Sequence, residues 1–403
     1  MVTRHARIQE LRRIVQQDVV DMNALRAACY QGIPDESNLR PTCWRLLLNC
    51  LPPERKAWST FLNTHRKLYE ELVQDFVIHW KTCANQAISA TDTDHPLSAE
   101  PTSPWCQYFK DNEVLLQINK DVRRLRPEMS FFQRPTNHPC KIMVESGAIP
   151  LSERVHAIML PEEHLKTTRS GANSLVEVMR KSNDEQYAIL PRGQEAHWQV
   201  VERILFVYSK LNPGVKYVQG MNEIVGPIYY VFASDANVEW REHAEADSYF
   251  CFQNLMSEIV DNFIKTLDKS TVGIERQMNQ LYSLLHSVDP VLHDFMTKVQ
   301  ELRPQYFAFR WLSLLFSQEF LLPDVICLWD TLIADPCRFS MLLYVALAMI
   351  ELVRSKIMEN DFSSNVRLLQ NYPTFDIARI ISLADEIKVE CESRTRTGNR
   401  LPL

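Results

Sequence analysis

Glycine is scarce in this chain. Only 9 of its 403 residues are glycine, roughly a third of average usage. Phosphate-cradling loops and tight hairpins depend on glycine, and the sequence contains neither a GxGxxG run nor a GxxxxGK[ST] run. We therefore expect no nucleotide site formed by the chain's own backbone, and a helical protein is favoured.

The chain also lacks paired cysteines, a long apolar run and an excess of basic residues. Its 10 cysteines include no CxxC pair, so we expect reduced thiols and no metal site. The longest apolar run, Met341 to Ile350, is too short to span a bilayer and predicts a buried helix. The net charge of -6 gives no attraction to nucleic acid or to an anionic membrane. We expect a cytoplasmic protein with no nucleic-acid partner and no direct membrane insertion.

Apolar residues recur at helical spacing along most of the chain. The pattern is clear in residues 7–28, 54–80, 197–211 and 281–353, and it predicts an all-α fold. It fades between Cys140 and Pro191, where we expect a long, partly disordered insertion at about 141–190. Unpaired buried charges are costly, so the charged residues inside the apolar segments are expected to pair or to cap helices: Arg310, Glu319 and Asp330.

The stretch from Val215 to Val231 is mostly apolar but carries Gln219 near its start. Pro213 and Gly214 precede it, so we expect a new helix to begin near Val215. A buried amide without a partner costs about 1–3 kcal/mol. Gln219 therefore either has partners inside the protein or lies at the mouth of a site where another molecule meets it.

Two further pairs of residues are candidates for a functional role. Asp121 and Arg124 are one turn apart at the end of a predicted helix, and they form either a solvated ion pair or part of a site. Arg40 lies one turn before Trp44. It can stack on the indole ring or pair with a carboxylate, and the pair serves either to lock helices together or to contact a substrate.

Three short motifs occur in order: Arg40-x-x-x-Trp44, Ile118-x-x-Asp121-x-x-Arg124 and Tyr217-x-Gln219-Gly220-Met221. A GIP tripeptide at 32–34 precedes them, and FRW at 309–311, QEF at 318–320 and LWD at 328–330 follow. Each motif alone is unspecific. In this order they resemble the signature motifs of the TBC-domain Rab GTPase-activating proteins. The resemblance covers residues 32–385, between an N-terminal helical extension at 1–31 and a C-terminal tail at 386–403.

The resemblance implies an all-α, two-lobed TBC domain with a groove between the lobes. It implies a protein that stimulates GTP hydrolysis by a Rab-family small GTPase in its GTP-bound form and thereby regulates vesicle trafficking. Such a protein supplies catalytic residues in trans and has no independent catalytic activity. It needs no cofactor of its own, because the partner GTPase binds GTP and magnesium. The Rab partner would recruit it transiently to membranes, and its oligomeric state stays open.

Residue roles follow from the same resemblance. Arg124 is implied as an arginine finger and Gln219 as a glutamine finger. Asp121 is then the residue that orients Arg124 before the partner arrives. One departure is Leu125, which stands where many members have threonine. The remaining motif residues are expected to support the two fingers or, for the first motif, the fold: Tyr217, Gly220, Met221, Ile118, Arg40 and Trp44.

Two alternatives without catalysis remain open at this stage. The protein could be a helical module that binds Rab proteins without stimulating hydrolysis, or a helical scaffold with no GTPase partner. The presence of both Arg124 and Gln219 argues against a degenerate binding module, which would be expected to have lost one of them.

Overall fold

The computed structural model describes residues 4–79, 104–155, 190–191, 193–264 and 273–396. Within these ranges the chain forms helices and no β-strand, apart from isolated bridges between Val19 and Glu54 and between Pro135 and Ala196. The prediction of an all-α fold is confirmed. No helix in the described ranges combines the length and the apolar character needed to cross a membrane.

The helices follow one another with short connections. In chain order they are α1 (Arg4–Val15), α2 (Met22–Tyr30), α3 (Arg40–Leu47), α4 (Trp58–Val73), α5 (Pro104–Val122), α6 (Lys141–Ser146), α7 (His197–Leu211), α8 (Met221–Ala233), α9 (Val238–Arg241), α10 (Ala244–Ile259), α11 (Ile274–Val288), α12 (Pro290–Asp294), α13 (Ala308–Ser313), α14 (Leu322–Ala334), α15 (Ser340–Leu352), α16 (Arg354–Glu359), α17 (Phe362–Gln370) and α18 (Ile377–Arg396).

The chain divides into two compact units. The terminal unit consists of Met1–Leu62 together with Phe250–Leu403, and the central unit consists of Asn63–Tyr249. The expected tail at 386–403 begins inside α18, which continues to Arg396 and buries Ile387 and Cys391. The rest of that tail lies outside the described residues.

The terminal unit is built around large buried aromatic and aliphatic side chains. Trp44 and Trp329 are fully buried, and their stacked rings lie 6.0 Å apart between centroids. The apolar run from Met341 to Ile350 forms most of α15, which packs against α18. The prediction of a buried helix in this run is therefore confirmed.

Asp330 is the polar centre of the terminal unit. This fully buried residue of α14 accepts hydrogen bonds from the Trp44 indole N–H at 2.8 Å and from the Ile33 backbone N–H at 2.8 Å. The Arg40 guanidinium donates to the same carboxylate, from Nε at 3.1 Å and from Nη2 at 3.0 Å. Arg40 thus pairs with a carboxylate, one of the two arrangements that the sequence allowed.

The other buried charges of the apolar segments are also paired. Arg310 donates from Nε to Glu319 Oε1 at 2.6 Å and from Nη2 to Oε2 at 2.9 Å. The prediction that Arg310, Glu319 and Asp330 would have partners is confirmed. The three residues form two separate clusters, because Asp330 takes its counter-charge from α3.

The central unit is organised around α7, which is buried on nearly every side. Its Arg203 forms ion pairs with Glu195 at 2.8 Å and with Glu245 at 2.6 Å. Its Glu202 is fully buried and accepts a hydrogen bond at 2.6 Å from Asn119 of α5. Burial raises the pKa of Glu202 from an ordinary value of 4.5 to about 7, although the Asn119 hydrogen bond and the charge of Arg123 both oppose the rise.

The predicted insertion at about 141–190 is ordered where the structure describes it. Residues 141–146 form α6, and residues 151–155 form one further helical turn. Met143, Leu151 and Val155 are buried, which explains why this part of the segment is folded. Residues 156–189 lie outside the described residues.

We expect Asp330→Asn to lower the free energy of unfolding by about 3–5 kcal/mol, because it leaves the largely buried Arg40 charge without its main partner. Trp44→Phe removes one hydrogen bond to the same carboxylate and should cost about 1–3 kcal/mol. Urea denaturation measures both changes. The control is Lys67→Ala, which removes an exposed ion pair with Glu71 and should change stability little. Wild-type stability in Asp330→Asn would contradict the central role of this carboxylate.

Glu202 should make the stability of the protein depend on pH. Its folded-state pKa is raised, so its favourable contribution is complete below pH 4.5 and is lost as the pH rises through 7. Glu202→Gln stays neutral at every pH. The variant should therefore gain stability relative to the wild type by about 3 kcal/mol between pH 4 and pH 8, measured by urea denaturation across that range. Parallel stability curves for the two proteins would show that this carboxyl does not titrate as described.

Candidate catalytic surface

Arg124 lies in the turn that ends α5. The Arg124 backbone N–H donates to the Asp121 carbonyl at 3.2 Å, and the Leu125 N–H donates to the Val122 carbonyl at 3.1 Å. Arg126 has a left-handed φ of 49°, and Pro127 follows it, so the helix cannot continue. The apolar face of α5 expected from the sequence is confirmed, since its members are all fully buried: Leu115, Ile118, Val122 and Leu125.

The side chain of Arg124 is largely exposed, with 68% of its surface open to solvent. Its Nε donates to the Lys120 carbonyl at 3.0 Å, and its Nη2 donates to Asp121 Oδ1 at 3.3 Å. A guanidinium carries five N–H donors. Three of them therefore remain free of partners among the described residues, and they are available to an incoming group.

Asp121 connects the second motif to the third. One of its carboxylate oxygens faces Arg124, and the other, Oδ2, accepts a hydrogen bond from the Tyr217 hydroxyl at 2.7 Å. Tyr217 is buried. Burial and then the charge of Asp121 raise the pKa of Tyr217, so its phenol stays protonated and remains the donor. Two motifs that are far apart in sequence thus meet at a single carboxylate.

Gln219 occupies a tight turn just before α8. The turn is closed by a hydrogen bond of 3.1 Å from the Met221 N–H to the Val218 carbonyl, with Gln219 and Gly220 at its two central positions. Gly220 has φ 104° and ψ -17°. These angles fit the third position of a type II turn, which glycine adopts without strain.

The expectation that a helix begins near Val215 is wrong. Helix α8 starts at Met221, six residues later. The backbone takes positive φ at Lys216 and again at Gly220, and neither conformation is compatible with a continuing right-handed helix. The polar tip of Gln219 therefore lies on a turn and not on a helix.

Gln219 is exposed, and its side chain has no hydrogen-bond partner in the part of the chain that the structure describes. Of the two alternatives for this residue, the satisfied core amide is therefore the wrong one. Consecutive Cα atoms are 3.8 Å apart, so the Cα of Gln219 lies within about 7.6 Å of that of Tyr217. Through Tyr217 and Asp121, the turn that carries Gln219 is tied to the end of the helix that carries Arg124.

The supporting residues of these two motifs are buried beneath the exposed pair. Ile118 and Met221 are fully buried, and the Met221 sulfur accepts a hydrogen bond from the Val218 N–H at 3.4 Å. Gly220 contributes its backbone conformation, which differs from the close backbone approach expected for it. Arg40 and Trp44, the residues of the first motif, belong to the terminal unit and bind Asp330 there.

A second polar network, not anticipated from the sequence, joins the same two elements. The Tyr217 hydroxyl lies 3.3 Å from Asn222 Oδ1, and Asn222 Nδ2 donates to Glu223 at 3.3 Å. Glu223 in turn lies 3.5 Å from Nε of Arg126, two residues after Arg124. The available signal was the presence of two polar residues in the first turn of an otherwise apolar helix.

The cavities of the central unit do not contain the exposed pair. One cavity of about 470 Å³ is lined by Arg123, Trp198 and Glu202 among others, and a second of about 390 Å³ by Arg66, His138 and Arg241 among others. Arg124 and Gln219 line neither of them. The exposed pair therefore presents its polar groups outside both cavities.

One group of side chains in the described residues has the composition of a metal site. The ligand atoms of His286, His293 and Asp294 lie within 4.8 Å of one another in the terminal unit. Asp294 is already paired with Lys298 at 2.9 Å. Since that ammonium occupies one carboxylate oxygen and repels a cation, the arrangement is better described as a surface ion pair beside two histidines.

Comparison with known proteins gives a consistent set of relatives. A family model described as the Rab-GTPase-TBC domain matches residues 184–358, a range that contains Gln219 but not Arg124. The human protein TBC1 domain family member 13 is 48% identical over 392 residues, which cover 95% of this chain and 98% of the relative. The GTPase-activating protein gyp1 of Schizosaccharomyces pombe is 26% identical over 92% of this chain and 58% of its own length.

The fold has also been observed in a solved structure. The crystal structure of the Ypt/Rab-GAP domain of Gyp1p superimposes with a TM-score of 0.64 and covers 96% of this chain and 98% of that domain. Its sequence identity is 21%, so this likeness concerns the fold alone. The identity to the human relative over nearly the whole of both chains decides the family. The chain belongs to the TBC-domain family of Rab GTPase-activating proteins.

Proposed function

We propose that this protein stimulates GTP hydrolysis by a Rab-family small GTPase in its GTP-bound form. In this proposal Arg124 and Gln219 act in trans, and the TBC domain comprises residues 32–385. The observation that carries the proposal is the Asp121 carboxylate, which accepts hydrogen bonds from both Arg124 and Tyr217. It ties together two elements that each present one exposed polar side chain.

The chemistry of GTP hydrolysis explains why these two residue types are suited to the task. A small GTPase already holds GTP and magnesium. It lacks full stabilisation of the charge that develops on the transferred phosphoryl group and firm orientation of the attacking water. Arginine meets the first need with a permanent charge and forked donors. Glutamine meets the second, because its carbonyl oxygen accepts from water while its amide nitrogen donates to a phosphate oxygen.

The positions of the two side chains in the structure are compatible with a macromolecular partner. Both are exposed, and neither lines the cavities described above, so a nucleotide held by another protein can reach them. Asp121 limits the motion of the Arg124 guanidinium before docking, which reduces the entropy lost on binding. Nucleotide and magnesium remain ligands of the partner in this proposal, and this chain contributes only side chains.

The relatives support the direction of the activity. The fission-yeast relative is named a GTPase-activating protein, and the family model is named for Rab GTPases. By extension, we infer a role in vesicle trafficking from the cytoplasm, with transient recruitment to membranes by the lipid-anchored Rab. The alternative, a Rab-binding helical module or scaffold without catalysis, predicts binding with no change in the rate of hydrolysis.

Phosphate release from a panel of GTP-loaded Rab proteins, measured beside binding of the same proteins, tests this proposal. We expect Arg124→Ala to reduce the stimulated rate by about 10³-fold or more, and Gln219→Ala to reduce it strongly as well, while binding is largely kept. The matched control is Arg134→Ala, which removes another exposed arginine of the central unit and should leave the rate nearly unchanged. Full activity in either the Arg124 or the Gln219 variant would rule out the two-residue mechanism.

Tyr217→Phe tests whether the link through Asp121 matters for the rate. The variant keeps the ring but removes the hydroxyl that donates to Asp121, so Arg124 loses part of its orientation. We expect the turnover number of the stimulated reaction to fall by about tenfold with a smaller change in KM for the GTP-loaded GTPase. Tyr230→Phe in the same helix is the control, because the Tyr230 hydroxyl makes no hydrogen bond to the described residues. Equal effects of the two substitutions would contradict a specific role for Tyr217.

A further inference from the structure

Gly226 lies in α8, and its missing side chain would point at Leu125. A Cβ atom at position 226 would meet Leu125 Cδ1 at 3.2 Å and Cδ2 at 3.3 Å. Carbon atoms in favourable contact lie about 3.5–4.0 Å apart. Leu125 is fully buried. Its side chain therefore occupies the space that any residue larger than glycine at position 226 would need.

Leu125 is joined to Arg124 by one peptide bond, and this gives the contact a meaning beyond packing. The guanidinium of Arg124 is exposed and is tied to its own helix through Lys120 and Asp121. The Leu125 side chain reaches in the other direction, to α8, which begins two residues after Gln219. A shift of Leu125 would thus move the backbone of Arg124 relative to the turn that carries Gln219.

We propose that Leu125 and Gly226 form a size-matched pair that positions Arg124 relative to Gln219. The inference rests on the proposed function, and Gly226 acts in it as a positioning residue. Position 125 is where this sequence departs from the threonine pattern described above. The requirement for glycine at 226 therefore arises from the larger residue that this chain has at 125.

A competing explanation for Gly226 comes from its neighbour Pro227. A residue with a Cβ atom that precedes proline is disfavoured in the helical region, so glycine could be required by the proline alone. The two explanations differ in one respect. A smaller residue at 125 relieves a clash with a Cβ at 226, but it does not relieve strain between that Cβ and Pro227.

The experiment compares Gly226→Ala with the double variant Leu125→Val/Gly226→Ala, which moves about one methyl group from one side of the contact to the other. In Gly226→Ala we expect the turnover number of Rab-stimulated hydrolysis to fall by about tenfold, with KM for the GTP-loaded Rab changed by less than about threefold. The double variant should recover most of the lost turnover. Gly214→Ala is the matched control, because a Cβ at 214 would meet nothing within 4 Å.

A second comparison tests whether Gly226 acts through Arg124. In the background of Arg124→Ala, adding Gly226→Ala should cause no further loss of rate, because residues that act through one group are not additive. A further loss of about tenfold in that background would overturn the inference. So would wild-type turnover in Gly226→Ala, or a failure of Leu125→Val to restore it, which would assign the effect to Pro227.

A readout without a GTPase separates this inference from the proposed function. The NMR signal of the Arg124 Nε–H, assigned by its absence in Arg124→Ala, reports on the hydrogen bond to the Lys120 carbonyl. It should shift in Gly226→Ala, return in the double variant and stay unchanged in Gly214→Ala. If no Rab is stimulated but the signal follows this pattern, the proposed function fails and the pairing holds. An unchanged signal in Gly226→Ala overturns the pairing whatever the hydrolysis assay gives.

Discussion

The carboxylate of Asp121 accepts hydrogen bonds from two elements that lie nearly a hundred residues apart in sequence. One oxygen faces the Arg124 guanidinium, and the other accepts from the Tyr217 hydroxyl. Both partners are charged or strongly polar, and hydrogen bonds to an ionised group are stronger than those between neutral groups. The exposed Arg124 and the turn that carries Gln219 depend on this contact for their mutual placement. The rest of the central unit supplies the rigid background that keeps the carboxylate in place.

That background is apolar on one side and polar on the other. Beneath Arg124, the buried face of α5 fixes the height and rotation of the helix end. Beside it, Leu125 fills the space left by Gly226, and Arg126 lies near Glu223 of α8. Side chains held by packing and by second contacts lose less freedom when a partner docks. An arginine that is exposed at its tip and anchored at both neighbours is suited to meeting a developing charge without a large reorganisation.

The terminal unit uses the same physical device for a different purpose. Asp330 gathers Trp44, Arg40 and the Ile33 backbone around a fully buried carboxylate. Here every partner is turned inward, so the cluster binds helices to one another. A buried charge with all its partners present specifies one arrangement of these helices, whereas the loss of one partner is costly. The contrast with Asp121 is one of exposure: 11% of the Asp121 side chain is open to solvent, and none of that of Asp330.

The sequence by itself determined the all-helical class, the buried face of α5 and the pairing of buried charges, because these follow from spacing and from the cost of burying polar groups. Its motifs also picked out Arg124 and Gln219. Only the tertiary structure decided that Gln219 lies on an exposed turn, that α8 starts at Met221, and that Asp121 contacts Tyr217. The size match between Leu125 and Gly226 was likewise invisible in the sequence. Helical periodicity reports on neighbours within one turn, whereas contacts between distant segments arise only when the packed helices bring them together.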